Sequence, residues 1–588
     1  MGLCIVHSPF IMLKYQLAQN LEKEKTIIMD FKFKDLPYER PDIDAFEKTA
    51  AELTTRQQAA KSGEEQFEIH KEFYKLANDF ETAYNIAYIR HDADNTDEFY
   101  EKENDYFDEV MPRVSNATIK YNNVLAASPY KDFLETKLGP VFFKNAELDA
   151  KSVNDDVIPL MQEENALASR YDKLIATAKI EYEGETYNLS LMAPFTTNED
   201  REIRKKAQKA VSDWFMSVTP EIDEIYDKMV KNRTEQAKLL GFNSYTELAY
   251  CRMHRNSYGP QDVENFRKQI KEYFVPFVGK LAEKRAKRLG LEKLQATELG
   301  VYFLNGNPKP TGTPEEILKS GQDMYSELSP ETKEFMDFMM KHELFDVFGR
   351  KNKAAGGYQT YLPNYKAPFI YANFNGTSGD VDVITHECGH AFQAYVVRDD
   401  EITEHNELGM ETAEIHSMSM EYFTYGWMKN FFGDRYEDYF EMHIEDASTF
   451  LPYGTMVDEF QHIVYDNPEM TPAERKETWK KLEAQYRPYI DFSENEFFNL
   501  GGFWQKQLHI FDVPFYYIDY VLASICAMQF KVWMDEDYKE AWQHYLQLCK
   551  LSGSDYYTKM IKAVGLKTPF EDGSVKEIVD KFSAKIFK

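Results

Sequence analysis

Apolar residues recur at intervals of three and four through the first quarter of the chain. Between about Asp42 and Leu148 they alternate with charged residues, and glycine and proline are scarce. Spacing of this kind places apolar side chains on one face of an α-helix. The pattern therefore predicts a series of long helices, and a representative run of its apolar face is Phe67, His70, Phe73, Leu76, Phe80 and Tyr84.

The period changes from helical to alternating near residue 180. Apolar and polar residues alternate from 179 to 191 on both sides of Glu183-Gly184, which predicts a β-hairpin. Helical spacing then resumes, and Thr197 or Asn198 is the predicted N-cap of the next helix. We place a domain boundary near 190, between an N-terminal helical domain (29–190) and a second domain (191–588).

The second domain is mostly helical in pattern, with one exception. Between 350 and 382 glycines cluster, and two short runs at 358–362 and 369–375 have the composition of strands. Helical spacing returns after 383 and continues to the end of the chain. The sequence therefore predicts a mainly α fold with a small β-sheet.

The first 28 residues differ in character from the rest of the chain. The apolar stretch from Gly2 to Leu13 has no basic region before it and no small-residue cleavage site after it, so it does not fit a secretory signal. The segment that begins at Met29 would be a sensible beginning for the functional protein. We therefore expect residues 1–28 to be an N-terminal extension.

Composition and charge narrow the classes of function. Hydrophobic residues are 43% of the chain and aromatic residues 15%, which is ample for a large core and excludes wholesale disorder. The net charge of −30 disfavours binding to nucleic acid and to anionic membranes. Five cysteines without a Cys-x-x-Cys pair indicate a reducing, cytoplasmic compartment. No uncharged apolar run approaches the roughly 18 residues of a membrane span.

The segment Thr385-His-Glu-Cys-Gly-His390 carries the most specific chemistry. Residues four apart on a helix are separated by about 40° around its axis, so His386 and His390 can reach one cation. Glu387 lies on the flank of that face, close to the cation without being a ligand. This arrangement predicts a site for one Zn²⁺ per chain, with Glu387 as a general base. Cys388 points away from the metal face, and we expect it to be a packed thiol.

A catalytic zinc usually takes three protein ligands and leaves a fourth position for water. The third ligand is expected to be a carboxylate or histidine on a following helix. Spacing alone leaves four candidates, which are Glu407, Glu411, Glu414 and His416.

Two motifs together resemble those of oligoendopeptidase F, of the thimet-oligopeptidase-like zinc metallopeptidase family. They are His386-Glu-Cys-Gly-His390 and Glu414-Ile-His-Ser-Met-Ser-Met-Glu421. Segments 353–376 and 509–520 also fit this family. The resemblance covers 190–588 well and the N-terminal helical region more loosely. It implies Glu414 as the third zinc ligand, a zincin-type catalytic domain at 191–588, and two largely helical lobes around a deep substrate channel.

The resemblance also implies how the site works. Glu387 would take a proton from a zinc-bound water and later deliver it to the leaving amine. His509, Tyr517 and Tyr520 would donate hydrogen bonds to the developing oxyanion. We assign the neighbouring Tyr516 to the core.

Glu421 has a supporting role that follows from its spacing. It comes seven residues after Glu414, on the same helix face, where its carboxylate can orient a ligand histidine.

Peptide substrates need main-chain pairing for binding that tolerates many sequences, and a strand edge provides it. Residues 370–375, shortly before the zinc helix, are the candidate edge. The glycines at 356 and 357 either allow close approach of a backbone or form a turn. The predicted substrate-binding residues are Gly356, Gly357, Ala372, Asn373 and Phe374.

The sequence thus predicts a zinc metalloendopeptidase that hydrolyses internal bonds of short, unstructured peptides. A related helical zinc carboxypeptidase or dipeptidyl carboxypeptidase shares the ligand spacing and is the alternative enzyme. A third alternative is a peptide-binding protein on a peptidase scaffold, which the retention of Glu387 and all three proposed ligands disfavours. Acidic residues lining the channel would favour cationic peptides. The oligomeric state stays open.

Overall fold

A computed structural model describes residues 31–154, 156–354, 356–406 and 408–587. The proposed extension at 1–28 lies outside the described residues. Helices make up 72% of the structure, and the sheets are small. The predicted mainly α fold is therefore confirmed.

The N-terminal region is built from long helices, as the apolar spacing predicts. Polar N-caps begin three of them; for example, the Asp42 carboxylate accepts hydrogen bonds from the backbone amides of Asp44 and Ala45. The first four helices enclose their own apolar cluster between Ile43 and Phe143. Their bounds, with that of the fifth, are α1 Ile43–Ala59, α2 Gly63–Ala93, α3 Glu98–Ala126, α4 Lys131–Ser152 and α5 Ile158–Ala176.

The predicted β-hairpin is confirmed, but the helix after it begins elsewhere. Strands β1 (Ile180–Tyr182) and β2 (Glu185–Tyr187) pair antiparallel around Glu183-Gly184. Neither predicted N-cap is used: Asn188 caps a short helix α6 at Leu189–Thr196, and Asp200 caps α7 at Arg201–Leu239. The side-chain oxygen of Asn198 instead accepts the Asp200 amide, so it forms the turn between these helices.

Helices continue through the middle of the chain and into the region of the motif. They are α8 Tyr245–Arg252, α9 Pro260–Gln269, α10 Val275–Arg288, α11 Pro314–Leu328, α12 Pro330–Lys341, α13 Gly379–Val396 and α14 Met410–Phe423. The last part of the chain adds α15 Met428–Phe432, α16 Tyr436–Asp466, α17 Pro472–Tyr486, α18 Glu496–Asn499, α19 Leu508–Asp512, α20 Tyr517–Leu551, α21 Tyr557–Ala563 and α22 Ser574–Ile586. Among the described residues, none of these helices has the length and apolar character needed to span a bilayer.

A three-stranded sheet lies against α13. Its strands are β4 (Phe345–Phe348), β5 (Tyr358–Leu362) and β6 (Ala367–Phe374), in the order β4-β6-β5. β6 pairs parallel with β4 and antiparallel with β5, so both of its edges are occupied. The expectation that 370–375 forms a free edge is therefore wrong, because β5 is the outer strand. Elsewhere, β3 (Leu294–Gln295) pairs with β7 (Ile490–Asp491).

The main apolar core surrounds α13, α14 and α20. Its members come from both sides of residue 190, including Ile86 and Tyr171 before it and Phe215 after it. The boundary at 190 thus stays a prediction. What the core fixes is the relative position of α13 and α14, because both pack against the long helix α20.

Candidate metal centre and active site

Helix α13 presents the first two candidate ligands. His386 and His390 lie one turn apart with ring centroids separated by 5.1 Å, and both side chains are partly exposed. Cys388 is fully buried on another face of the helix, which agrees with a packed thiol. The helix thus arranges these residues as its 3.6-residue period requires.

Glu414 on α14 completes a set of three donors. Its Oε2 atom lies 3.4 Å from His386 Nε2 and 3.7 Å from His390 Nε2. Zinc bonds of 2.0–2.1 Å in tetrahedral geometry place neighbouring ligand atoms about 3.4 Å apart. The donor atoms of these three side chains all lie within 4.8 Å of one another. The residues present therefore fit a zinc ion in number, chemistry and spacing.

The competing third ligands lie elsewhere. Glu411 is buried near Asp519, and burial together with the negative charge of Asp519 raises the pKa of Glu411. His416 is fully buried, and its backbone carbonyl accepts a hydrogen bond from Tyr545. Glu407 lies outside the described residues.

A glycine allows the two ligand helices to touch. A Cβ atom added at Gly389 would lie 2.5 Å from Ser417 Cα and 2.8 Å from the carbonyl oxygen of His416. No side chain fits in that space without moving a backbone. Gly389 therefore sets the close crossing of α13 and α14 that brings Glu414 to the two histidines.

Glu421 lies behind the ligands, as its spacing predicts. Its Oε1 atom is 2.6 Å from His386 Nδ1, which leaves His386 Nε2 free to face the metal position. Its Oε2 atom is 2.8 Å from Nε2 of His443 on α16, and the Tyr425 hydroxyl lies 2.6 Å from His443 Nδ1. Burial alone would raise the pKa of Glu421, but the hydrogen bonds from both histidines outweigh it and lower the pKa to about 2.

Sequence reasoning missed His443. It comes 22 residues after Glu421 and belongs to a different helix, so no periodic relationship connects the two. Only the packing of α16 against the rest of the core brings them together. A lone histidine in a helical pattern gives no signal of this kind.

The late segment surrounds His509 with tyrosines. The ring centroids of Tyr517 and Tyr520 lie 4.8 Å and 6.1 Å from that of His509. Tyr516 is not in the core: it is half-buried, and its hydroxyl donates to Glu414 Oε1 across 3.4 Å. Tyr516 immediately precedes α20 and Tyr520 lies in its first turn, so the start of this helix brings both tyrosines close to Glu414.

Two side chains fix the orientation of the His509 ring. Gln507 Nε2 lies 2.9 Å from His509 Nδ1, and the Tyr453 hydroxyl donates to Gln507 Oε1 at 2.6 Å. Because the Gln507 amide nitrogen donates to Nδ1, the ring proton resides on Nε2. Burial lowers the pKa of His509, which favours the neutral form of the ring.

An unusual backbone conformation precedes α20. Phe515 adopts a φ of 70°, a left-handed conformation that costs a bulky residue about 1–3 kcal/mol. The structure holds it through the buried Arg255, which donates to the Phe515 carbonyl, and through Gln461, whose side-chain oxygen accepts the Phe515 amide at 2.9 Å. Arg255 also pairs with the buried Asp519 at 2.9 Å. These contacts aim the start of α20 at the site.

Glu387 lies between the ligands and strand β5. Burial raises the pKa of its carboxyl group, and the Gln359 backbone amide opposes that shift through a hydrogen bond. The amide belongs to the outer strand, so the free edge of β5 faces the candidate general base. The sequence pattern had placed this free edge on β6.

Three of the predicted substrate-binding residues, Ala372, Asn373 and Phe374, lie on the central strand β6. Ala372 is fully buried, and Phe374 packs on Phe348 with ring centroids 6.3 Å apart. The Asn373 side chain donates to the carbonyls of Ala354 and Gly356.

The two glycines serve different purposes. Gly356 adopts a φ of +100° with open space around it, which is a turn conformation. A Cβ atom at Gly357 would lie 3.3 Å from the Tyr371 carbonyl oxygen, so its close approach is to β6.

A cavity of 360 Å³ opens beside the ligands. We call it the β5 cavity, because Gln359 and Tyr361 of β5 form one wall. His390 lies in the same lining, and Asn78 and Glu81 of α2 form the opposite side. One candidate ligand therefore borders a cavity that is also lined by helix α2 and strand β5.

Known proteins are similar to this chain in both sequence and architecture. The pattern of peptidase family M3 matches residues 195–304 and 323–580, and that of the peptidase M3 N-terminal domain matches 33–153. The oligoendopeptidase F homolog of Borreliella burgdorferi is 24% identical over 63% of this chain and 63% of its own length. Oligopeptidase PepF of Bacillus subtilis is 21% identical over 63% of this chain and 55% of its own length. The chain thus spans less than two thirds of the length of these curated relatives.

Solved structures match over a larger share of the chain. PZ peptidase A with inhibitor 2 is 47% identical with a TM-score of 0.88, over 94% of this chain and 99% of that one. Oligoendopeptidase F from Enterococcus faecium shares the fold at 14% identity and a TM-score of 0.58, over 92% of this chain and 97% of its own. The matched patterns cover well over half of the sequence and include both ligand helices. This chain belongs to peptidase family M3.

Proposed function

We propose that this protein is a zinc-dependent endopeptidase that cleaves internal bonds of short, unstructured peptides, with one Zn²⁺ held by His386, His390 and Glu414. The convergence of these three donors beside Glu387 supports the proposal most directly. The family and the relatives named oligoendopeptidase and oligopeptidase agree with it.

The proposed chemistry divides between the metal and the protein. Zinc, when bound, supplies a Lewis acid that polarises a peptide carbonyl and lowers the pKa of water. Glu387 accepts a proton from the attacking water and returns it to the leaving nitrogen, a role that its raised pKa suits. Glu421 keeps the His386 ring oriented through its hydrogen bond to Nδ1.

Donors from the late segment complete the site. His509 carries its proton on Nε2 and can donate it to the oxygen that becomes negative during attack. Tyr520 offers a second donor near the candidate ligands. Burial raises the pKa of its hydroxyl, and the negative charges of Glu414 and Glu387 add to this shift, so the hydroxyl keeps its proton. Tyr517 is placed beside His509 and supports that ring.

Substrate would bind along the free edge of β5. An extended peptide can pair with this edge through its main chain, which imposes little sequence requirement. A folded protein offers no free strand for such pairing inside a cleft, so the proposed substrates are short and flexible.

One observation favours an exopeptidase as the second candidate. Lys506, three residues before His509, lines a largely apolar cavity of 360 Å³. Over the described ranges of the chain, no carboxylate lies within ion-pair distance of its Nζ atom; the side chain is accessible to solvent, and desolvation by the neighbouring protein lowers its pKa. Such a cation could hold the C-terminal carboxylate of a peptide and fix cleavage a few residues from that end.

Blocked peptides test the proposal against this alternative. A peptide acetylated at its N-terminus and amidated at its C-terminus is incubated with the zinc-loaded protein, and products are identified by mass spectrometry. Internal cleavage supports the endopeptidase. The same peptide with a free C-terminal carboxylate is tested in parallel, and cleavage of this peptide alone, abolished in Lys506→Gln, would support the exopeptidase. Lys205→Gln is the matched control and should retain that cleavage, because Lys205 already pairs with Glu494.

Glu387→Gln distinguishes an enzyme from a binding protein. The variant is expected to keep its zinc and lose at least about 100-fold in kcat, as removal of a general acid-base group does. Zinc binding without hydrolysis of any peptide by the wild type would favour a peptide-binding protein.

We also infer a cytoplasmic location. Cys251, Cys388, Cys526 and Cys549 are all free thiols. Proteins of oxidising compartments tend to pair such residues. Fractionation of cells that produce the protein tests this inference.

A further inference from the structure

The β5 cavity contains several charged groups, and most of them have partners. Lys366 pairs with Asp399 at 2.9 Å. Arg398 pairs with Glu334 at 3.4 Å and stacks on a tyrosine ring, and Asp400 pairs with His405 at 2.8 Å. Each of these charges is therefore compensated within the protein.

Glu81 differs from the others. Within the described part of the chain, its carboxylate has no ion pair and no hydrogen bond. The side chain is accessible to solvent and lines the cavity from helix α2, and partial desolvation by the cavity walls raises its pKa. The Glu81 carboxylate is therefore an accessible negative charge without a partner in the described part of the protein.

Two side-chain oxygens on the same walls have no hydrogen-bond donor within the described residues. They are the buried side-chain oxygens of Asn78 and Asn406. Asn78 lies one helical turn before Glu81, and both asparagines line the β5 cavity. Three acceptors thus lie around one cavity without matching donors.

We propose that the β5 cavity binds a cationic side chain of the peptide substrate, arginine or lysine, with Glu81 as its counter-charge. This inference rests on the proposed peptidase function and names the class of peptide that the site prefers. A guanidinium or ammonium group brings a positive charge for the Glu81 carboxylate and donors for the unpaired oxygens of Asn78 and Asn406. Arginine fits best, because its planar group carries five donors.

The position of the cavity links this preference to the cleaved bond. His390, a proposed zinc ligand, and β5, the proposed binding edge, line the same cavity as Glu81. Successive side chains of a strand point to opposite faces, so a peptide on β5 directs every second side chain to one wall. The cationic residue should therefore occupy one fixed position, within a few residues of the cleaved bond.

A positional scan with fluorogenic peptides tests the inference. Each position of a common peptide carries arginine or citrulline, which has the same shape without the charge, and kcat/KM is measured for both. At one position, the wild type is expected to prefer arginine by about tenfold. In Glu81→Gln this ratio should fall to about one, and Glu81→Lys should prefer glutamate over arginine at that position.

Glu68→Gln is the matched control. Glu68 lies on the same helix and loses the same charge when changed, but it is 69% exposed and pairs with Lys71 outside the cavity. This variant should keep the wild-type ratio. High salt should reduce the preference in the wild type, because ions screen the attraction.

Two results would overturn the inference. One is a wild-type ratio near one at every position, and the other is an unchanged ratio in Glu81→Gln, even if that variant is slower overall. Failure of the proposed function looks different: in that case the wild type hydrolyses neither peptide, or Glu387→Gln hydrolyses both as fast as the wild type does.

Discussion

Replacement of Glu421 with glutamine would test whether a residue outside the proposed set of zinc ligands contributes to zinc affinity. Glu421 is not a ligand, yet it accepts hydrogen bonds from His386 Nδ1 and His443 Nε2 with its two oxygens. Glutamine has the same shape but only one oxygen. One of the two histidine N–H groups must then face an NH₂ group, and the carboxylate charge is lost.

The structure sets the size of the expected effect. A hydrogen bond to a charged group contributes about 1.5–3 kcal/mol, and this one orients a ligand histidine. Loss of a partner behind a metal ligand typically weakens metal affinity about 10–100-fold, which corresponds to about 1.4–2.7 kcal/mol. We therefore expect Glu421→Gln to raise the zinc dissociation constant by one to two orders of magnitude.

Competition with a chromophoric chelator at fixed pH measures that constant directly, without reliance on activity. His443→Gln should have a smaller effect, because glutamine retains a donor and His386 keeps its acceptor. Glu68→Gln removes the same charge at an exposed position of α2 and should bind zinc like the wild type. A Glu421→Gln dissociation constant within threefold of the wild-type value would refute the proposed orienting role.

Three further substitutions test how the site is assembled. Gly389→Ala should lower the free energy of unfolding by about 1–3 kcal/mol and weaken zinc binding, since its methyl group would collide with α14; unchanged urea unfolding would contradict the close crossing. Arg255→Met removes the charged partner of the buried Asp519 carboxylate, which keeps the hydrogen bond from Tyr258, and should cost about 3–5 kcal/mol by the same measurement; a variant as stable as wild type would show that the pair is dispensable. Tyr520→Phe should lower kcat about 10²-fold without changing zinc affinity, and equal kcat values would exclude its hydroxyl as a donor.

Features within a single helix could be predicted from the sequence. The positions of His386, Glu387 and His390 depend only on the helical period, and the structure arranges them accordingly. Long N-terminal helices and the hairpin near Gly184 also follow from local spacing. Local pattern was sufficient in these cases because the interacting residues are neighbours along the chain.

Features that depend on packing between elements could not be predicted in this way. Spacing left four candidates for the third ligand, and the crossing at Gly389 brings Glu414 alone among the described candidates to the histidines. Strand composition identified β5 and β6 but not their order, so the free edge was assigned to the wrong strand. The hydroxyl of Tyr516 faces Glu414 because of how α20 begins, which an aromatic pattern does not reveal.

The contact at Gly389 has a consequence for how the protein acquires its metal. Both candidate ligand helices are held by backbone contact and by the apolar core. Uptake of the proposed zinc should then need no coupled folding, in contrast to small zinc domains that are unfolded without their ion. We therefore expect the chain to stay folded when the proposed zinc ion is removed or exchanged. Which metal it carries would then follow from the intrinsic affinity of a histidine and carboxylate site and from the free ion concentrations around it.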